Sequence, residues 1–183
     1  MMISTAAQIA DPLRPRHLYV QPERRIERAA YVPPGRTLHL LDLENLMGGP
    51  MSGSIALIQA SLAFRQLAGV RATDLVVVGV NPHLGYSAKA CWPGGLVVLG
   101  LGPDGADRAL LKQIEDARWT AARFDRVVIG SGDGVFAESA KRLRELGIPV
   151  VVISRESSLS HLLARSVDAV SILPEINPMQ VVA

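Results

Sequence analysis

The sequence predicts an α/β domain: a central, mostly parallel sheet with helices on both faces. Three observations carry that expectation. Short runs of Val, Ile and Leu alternate with longer segments whose apolar residues recur at helical spacing. The runs "LVVVGV" and "RVVIGS" place apolar residues at consecutive positions, which a strand needs when both its faces are covered. Gly, Asn-Pro and Pro-Gly signals fall between the segments, where the chain must turn.

Taken in order, "VPPGR" favours a turn and "TLHLLD" (residues 37–42) is a first, short apolar strand. "SGSIALIQASLAFRQLAG" has apolar residues at helical spacing, with Gly69 placed as a stop. "TDLVVVGV" (residues 73–80) is a second strand bounded by Asn81-Pro82, and "HLGYSAKACW" is a short helix. "GLVVLG" (residues 95–100) is a third strand. "GADRALLKQIEDARWTAARF" reads as one helix, with Ala106, Leu110, Leu111, Ile114 and Ala117 on one face. "DRVVIG" (residues 125–130) is a fourth strand, followed by the helix "GVFAESAKRLRELG", which ends at Gly147. "PVVVIS" (residues 149–154) is a fifth strand, and "SLSHLLARS" with "VDAVSIL" supplies a last helix and an edge strand.

At 183 residues the chain suits one compact domain with tails. The expected division is an N-terminal arm over residues 1–36, the domain over 37–173 and a tail over 174–183. Apolar runs are strand-length, so no membrane span is expected, and the N-terminus lacks the apolar core of a signal peptide. The expected location is cytoplasmic. Cys91 is alone, which excludes an internal disulfide and fits a small, semi-buried apolar residue. The formal charge of +2 is too small to argue nucleic-acid binding by itself. Its distribution says more, because Arg14, Arg16, Arg24, Arg25, Arg28 and Arg36 crowd the arm and would suit phosphates, although a solvated tail explains them equally. The arm and the C-terminal "PEINPMQVVA" are the segments on which a homodimer or another protein partner would draw.

In a doubly wound sheet, function gathers beyond the carboxyl ends of the strands. The first strand ends on Asp42, followed by Glu44 and Asn45; the third leads to Asp104 and Asp107; the fourth ends on Ser131 and Asp133. Carboxylates gathered together repel unless a cation compensates. Oxygen ligands from Asp and Asn, without His or Cys, suit a hard cation such as Mg²⁺ or Mn²⁺. Such an ion activates water and shields charge in phosphodiester hydrolysis. Each acid also has a plain reading: Asp42 and Asp133 precede helices as N-caps, and Asp107 lies in a first helical turn, where an acid complements the dipole. Capping does not explain why the exits of strands one and four, natural neighbours, both carry an acid.

"LLDLENL" resembles the strand and Asp-x-x-Asn opening of the NYN domain family, a branch of the PIN-like nucleases. "GADRALLKQI" is similar to that family's Gly-x-Asp-x-x-Leu segment, "FDRVVIGSGDGVF" to its Ser-Gly-Asp-x-x-Phe segment, and "RLRELGIPVVVIS" to the helix, glycine and strand that follow. The resemblance covers roughly residues 38–172, in the family's order. It implies a PIN-like three-layer sandwich and metal-dependent RNA cleavage, with Mg²⁺ or Mn²⁺ held by Asp42, Asp107 and Asp133. It also implies that Asn45 orients a ligand or water from the turn after the first strand, and that Ser131 contacts an acid or a phosphate from the tight turn. Two positions depart from the pattern: Val135 and Lys112 stand where relatives often carry further acids, and Glu138 or Asp116 would be the substitutes.

The remaining features read as structural. His39 is expected in core packing and His161 on the surface or in helix packing; His83 sits in a loop near the cleft. Trp92 and Trp119 do not form a base-stacking pattern, and neither a Walker loop nor a dinucleotide fingerprint is present. The expected function is therefore a metal-dependent ribonuclease, an endonuclease acting on RNA. The alternatives are a weakly active or inactive RNA-binding module, motivated by Val135 and Lys112, and a phosphohydrolase of small phosphate esters.

Overall fold

The computed structural model describes residues 35–49 and 54–174. Six strands form one sheet in the order β3-β2-β1-β4-β5-β6, with every pairing parallel. They are β1 (Thr37–Asp42), β2 (Leu75–Val80), β3 (Leu96–Leu99), β4 (Arg126–Gly130), β5 (Val150–Ser154) and β6 (Ala169–Ile172). The helices are α1 (Leu43–Met47), α2 (Ser54–Ala68), α3 (Gly85–Cys91), α4 (Gly105–Leu111), α5 (Ala117–Ala121), α6 (Ala137–Glu145) and α7 (His161–Arg165). The expected α/β class and the six strands are all present.

Every residue of β1 and of β4 is buried, as their consecutive apolar residues require. Leu38 and Leu40 face one core with Leu110, Phe136, Ala140, Leu143 and Leu163, drawn from α4, α6, α7 and the turn before α6. Leu41 faces the other with Leu57, Ala60, Phe64 and Ala88 of α2 and α3. Each fully buried Leu or Phe is worth roughly 1.5–3 kcal/mol relative to exposure. The result is the three-layer sandwich, with the order of strands reversing at the β1–β4 junction.

Register then positions the site. Leu41 pairs with Gly130, so Asp42 and Ser131 leave the sheet side by side. At the other edge, Gly100 and Gly105 are in backbone contact, and a Cβ on Gly100 would lie 1.9 Å from the Gly105 carbonyl carbon. Only glycine permits that approach, which starts α4 hard against the end of β3 and turns Asp107 inward.

Three expectations are corrected. The segment 105–124 is not one helix: α4 gives way to a 3₁₀ turn at Lys112–Ile114, and α5 begins afresh. The cause is Asp116, whose Oδ1 accepts the Trp119 N–H at 2.9 Å and caps a new helix. Asn45 lies on α1, a short helix, rather than in a turn. Arg36, counted with the arm, is tied into the domain: its N–H donates to Asp125 Oδ2 at 2.8 Å and its Nε to the Thr73 carbonyl at 3.2 Å. The other arm arginines and residues 175–183 lie outside the described residues. Among the described residues no helix is long and apolar enough to cross a membrane.

Beneath β1, a polar cluster is enclosed. His39 is fully buried, packs edge-on against Phe64 and meets Asp74 Oδ2 at 3.3 Å. Burial drives its pKa down to about 4, against the pull of Asp74, so the ring is neutral. Asp74 also accepts the Thr37 and Arg71 N–H groups and the Arg71 guanidinium. Burial works against its charge, yet those bonds hold it down at about 2. His39 thus has the packing role the sequence implied.

Candidate metal and phosphate site

The acids named from the sequence converge at the carboxyl end of the sheet. Asp42 is the N-cap of α1: its Oδ1 accepts the Asn45 N–H at 3.1 Å. Its Oδ2 accepts the Ser131 hydroxyl at 3.3 Å. Ser131 Oγ in turn accepts the Asp133 N–H at 3.2 Å, and Asp133 Oδ1 accepts the Val135 N–H at 2.9 Å. Asn45 Oδ1 accepts the Gly132 N–H at 3.0 Å. A single hydrogen-bonded chain therefore joins the exits of β1 and β4. The capping and site readings of Asp42 and Asp133 are not exclusive, because each carboxylate caps and still lines the same cavity.

That cavity has a volume of about 510 Å³. Asp42, Glu44, Asp104, Asp107 and Asp133 bring it five carboxylates, joined by Asn45, Asn81, Ser158 and Arg155. Asp42 and Asp107 are its buried pair, 6% and 8% exposed. Burial, then the charge of Asp107, pushes the Asp42 carboxyl up to about 7. Asp107 is raised too, first by burial and then by the charges of Asp133, Asp104 and Glu44, while its hydrogen bond with Asp42 acts in the opposite direction. The two carboxylates influence each other's ionisation, and such a pair titrates as a unit.

The donor set fits a hard divalent cation. All nearby ligating atoms are oxygens, and Asp107 Oδ1 is buried with no hydrogen-bond partner. Among the described residues no three His, Cys, Asp or Glu side chains are gathered closely enough to hold one ion. The fit is therefore to an ion that keeps most of its waters and leans on one or two carboxylates, as Mg²⁺ does.

Two substitutes weighed from the sequence lie elsewhere. Asp116 caps α5, and Glu138 lines a separate cavity with Arg108, Lys112, Val135 and Arg142. His83 does not line the cavity; its Nδ1 meets Oδ1 of Asn81, which does, at 2.9 Å. Arg155 and Ser158 were not anticipated. Their signal was present, since Arg155 directly follows β5, but an inspection of strand exits for acids alone passes over a cation.

A doubly wound domain with buried carboxylates at the strand-order reversal is the class that fold and site define. Residues 104–174 match the family model of the NYN domain, which belongs to the PIN-like superfamily, as the motifs implied. The match takes in Asp107, Ser131, Asp133 and Arg155, and the fold brings Asp42 and Asn45 to them from outside it. Among solved structures, the chain is similar to a Vibrio parahaemolyticus protein of unknown function, at 17% identity and a TM-score of 0.53, covering 76% of this chain and 93% of that one. This likeness supports the fold alone. No curated protein matches the chain.

Proposed function

We propose that the protein is a metal-dependent ribonuclease, an endonuclease hydrolysing RNA phosphodiester bonds at Asp42, Asp107 and Asp133 with Mg²⁺ or Mn²⁺. The observation that carries this reading is the buried Asp42–Asp107 pair, held at the edge of an open cavity with Asp107 Oδ1 unpartnered. Two carboxylates buried in one cavity are costly to ionise without a cation, and the capping bonds of Asp42 do not require Asp107 beside it. The NYN match supports the nuclease class and, with it, dependence on a divalent metal.

Asp42 and Asp107 would hold the ion, with Asp133 reaching it through water. The bound ion would supply a water activated near neutral pH and a counter-charge for the phosphate. The chain does the positioning. Ser131 holds Asp42 Oδ2, and Asn45 Oδ1 fixes the Gly132 N–H, so the carboxylates of β1 and β4 keep one spacing. With Asp42 at about 7, its carboxylate is fully available as a ligand only above neutral pH or when a cation displaces the proton.

Lys112 and Val135 give the RNA-binding module its specific support. Both line the separate cavity with Arg108 and Arg142, whose cations outnumber its acids Glu115 and Glu138 and suit phosphates better than a further metal ion. Incubation of purified protein with RNA and Mn²⁺ decides between the readings. Cleavage that is abolished by chelator and by Asp133→Asn supports the ribonuclease. Salt-sensitive RNA binding without turnover would move the assignment to the binding module, and turnover confined to small phosphate esters would move it to a phosphohydrolase.

A further inference from the structure

The cavity presents an electrostatic difficulty for any RNA-cleaving role. Five carboxylates line it, and RNA brings more negative charge. Arg155 is the one cation among the described residues that line it. It forms no ion pair with any of the five acids. Its Nε donates to the Asn45 carbonyl at 3.2 Å, and its Nη2 donates to Ser158 Oγ at 2.7 Å. Both anchors are neutral oxygens, so the guanidinium is fixed in orientation without a carboxylate bound to it.

The remaining nitrogen, Nη1, faces Gly48. A Cβ there would lie 3.0 Å from Nη1, and Gly48 has φ +96°, a conformation that side chains rarely adopt. Among the described residues, the C-cap of α1 therefore leaves open the space beside the Nη1 edge of the guanidinium. A fixed planar cation with a free donor edge is suited to a phosphate oxygen, and its preorganisation lowers the entropy lost on binding.

We propose that Arg155 is the substrate-phosphate binding residue of this cavity, its Nη1 edge holding a non-bridging phosphate oxygen of the RNA strand beside the carboxylates. The assignment rests on the ribonuclease reading and deepens it. Arg155 touches substrate, whereas Asn45, Ser158 and Gly48 are positioning residues that fix the guanidinium and keep its free edge open.

The test uses the full chain and fluorescence anisotropy with a labelled, short single-stranded RNA. Ca²⁺ replaces Mn²⁺, so that binding is read without turnover. Arg155→Gln places an amide donor where Nε meets the Asn45 carbonyl but loses the forked end and its charge; about ten-fold weaker binding is expected, and a salt dependence shallower by about one unit. Arg155→Lys should restore the salt slope and only part of the affinity, because an ammonium cannot fork. In Mn²⁺, KM for Arg155→Gln should rise about ten-fold with a much smaller change in kcat. A purely structural clamp would lower the melting temperature and leave the salt slope unchanged. If Arg155→Gln does not fold, Arg155→Lys decides by its affinity, a partial loss at the wild-type salt slope being expected and wild-type affinity overturning the assignment. Wild-type affinity and slope in the folded variants overturn the assignment alone. A wild-type protein that neither binds nor cleaves RNA overturns it together with the ribonuclease reading.

Discussion

Ser131 Oγ donates to Asp42 Oδ2 at 3.3 Å across 89 residues of sequence, at the one junction where the strand order of the sheet reverses. The same oxygen accepts the Asp133 N–H at 3.2 Å, so one buried hydroxyl sets the spacing of two carboxylates. Ser131→Ala should leave the fold intact, at a cost of about 1 kcal/mol, because a neutral hydrogen bond contributes about that much. RNA cleavage in Mn²⁺ should fall further than this cost implies, by about ten-fold in kcat, since the carboxylates lose their common tether. Paired melting and single-turnover measurements would check this. Unchanged cleavage would remove the tethering role.

Asp42 keeps its proton up to about 7, whereas an ordinary aspartate loses it near 3.8. Between those values the folded state binds the extra proton. Stability therefore falls as pH rises from about 4 to about 7, and the loss is complete above 7. Asp42→Asn keeps an equally good N-cap and removes the buried charge. It should be the more stable protein above pH 7, by on the order of 1 kcal/mol or more, while losing activity. Thermal melts of both proteins from pH 4 to pH 8 would show the difference opening as pH rises.

Mn²⁺ should raise the melting temperature of the wild type, since a ligand at a hundred times its dissociation constant stabilises by about 2.7 kcal/mol. The shift should shrink below pH 7, where protons compete for Asp42, and largely vanish in Asp107→Asn. A shift that persists unchanged in Asp107→Asn would place the ion elsewhere.

The polar cluster under β1 gives the opposite pH trend. His39 stays neutral down to about 4, but the unfolded chain takes up a proton near 6.5, so stability falls as pH drops from 6.5 to 4. Asp74, at about 2, adds a loss that develops as pH falls from about 4 to 2. Asp74→Asn leaves Arg71 and the Thr37 N–H short of a buried acceptor and should cost roughly 3 kcal/mol at neutral pH. Its acid-side melting curve should be correspondingly flatter. A cost near zero would show that Arg71 and Thr37 find other partners.

Gly100→Ala would drive a Cβ into the Gly105 backbone at 1.9 Å. The expected penalty is about 2 kcal/mol or more, with α4 pushed outward and Asp107 displaced. The Mn²⁺ shift should fall along with stability. Gly94→Ala, whose Cβ would meet nothing within 4 Å, is the matched control.

Much of this site was legible because a parallel sheet dictates where side chains emerge. Once Leu40 and Ile129 belong to neighbouring strands, Asp42 and Ser131 must emerge together. Asp107 was legible through its motif, but the Gly100–Gly105 contact that aims it depends on two loops meeting and has no periodic signature. The break before α5 was missed because the apolar spacing of 105–124 is helical throughout, and the capping of Asp116 overrides it locally. Arg155 was missed for a different reason. Its partners, the Asn45 carbonyl and Ser158 Oγ, are placed by the helix α1 and the loop after β5, two segments far apart in sequence that only the fold brings together.

The position of β1 has a consequence for folding. It is hydrogen-bonded to β2 on one side and β4 on the other, so it alone joins β3-β2 to β4-β5-β6. The segment that carries the NYN match contains only the latter group. Closing β1 onto β4 spans a long stretch of chain, a slow, late kind of contact. A molecule that has not made it lacks Asp42, exposes the edge of β4 and has two unjoined sheets. On the proposed ribonuclease reading, catalytic competence and completed folding would therefore arrive in the same step, and a partly folded chain would be unable to cut.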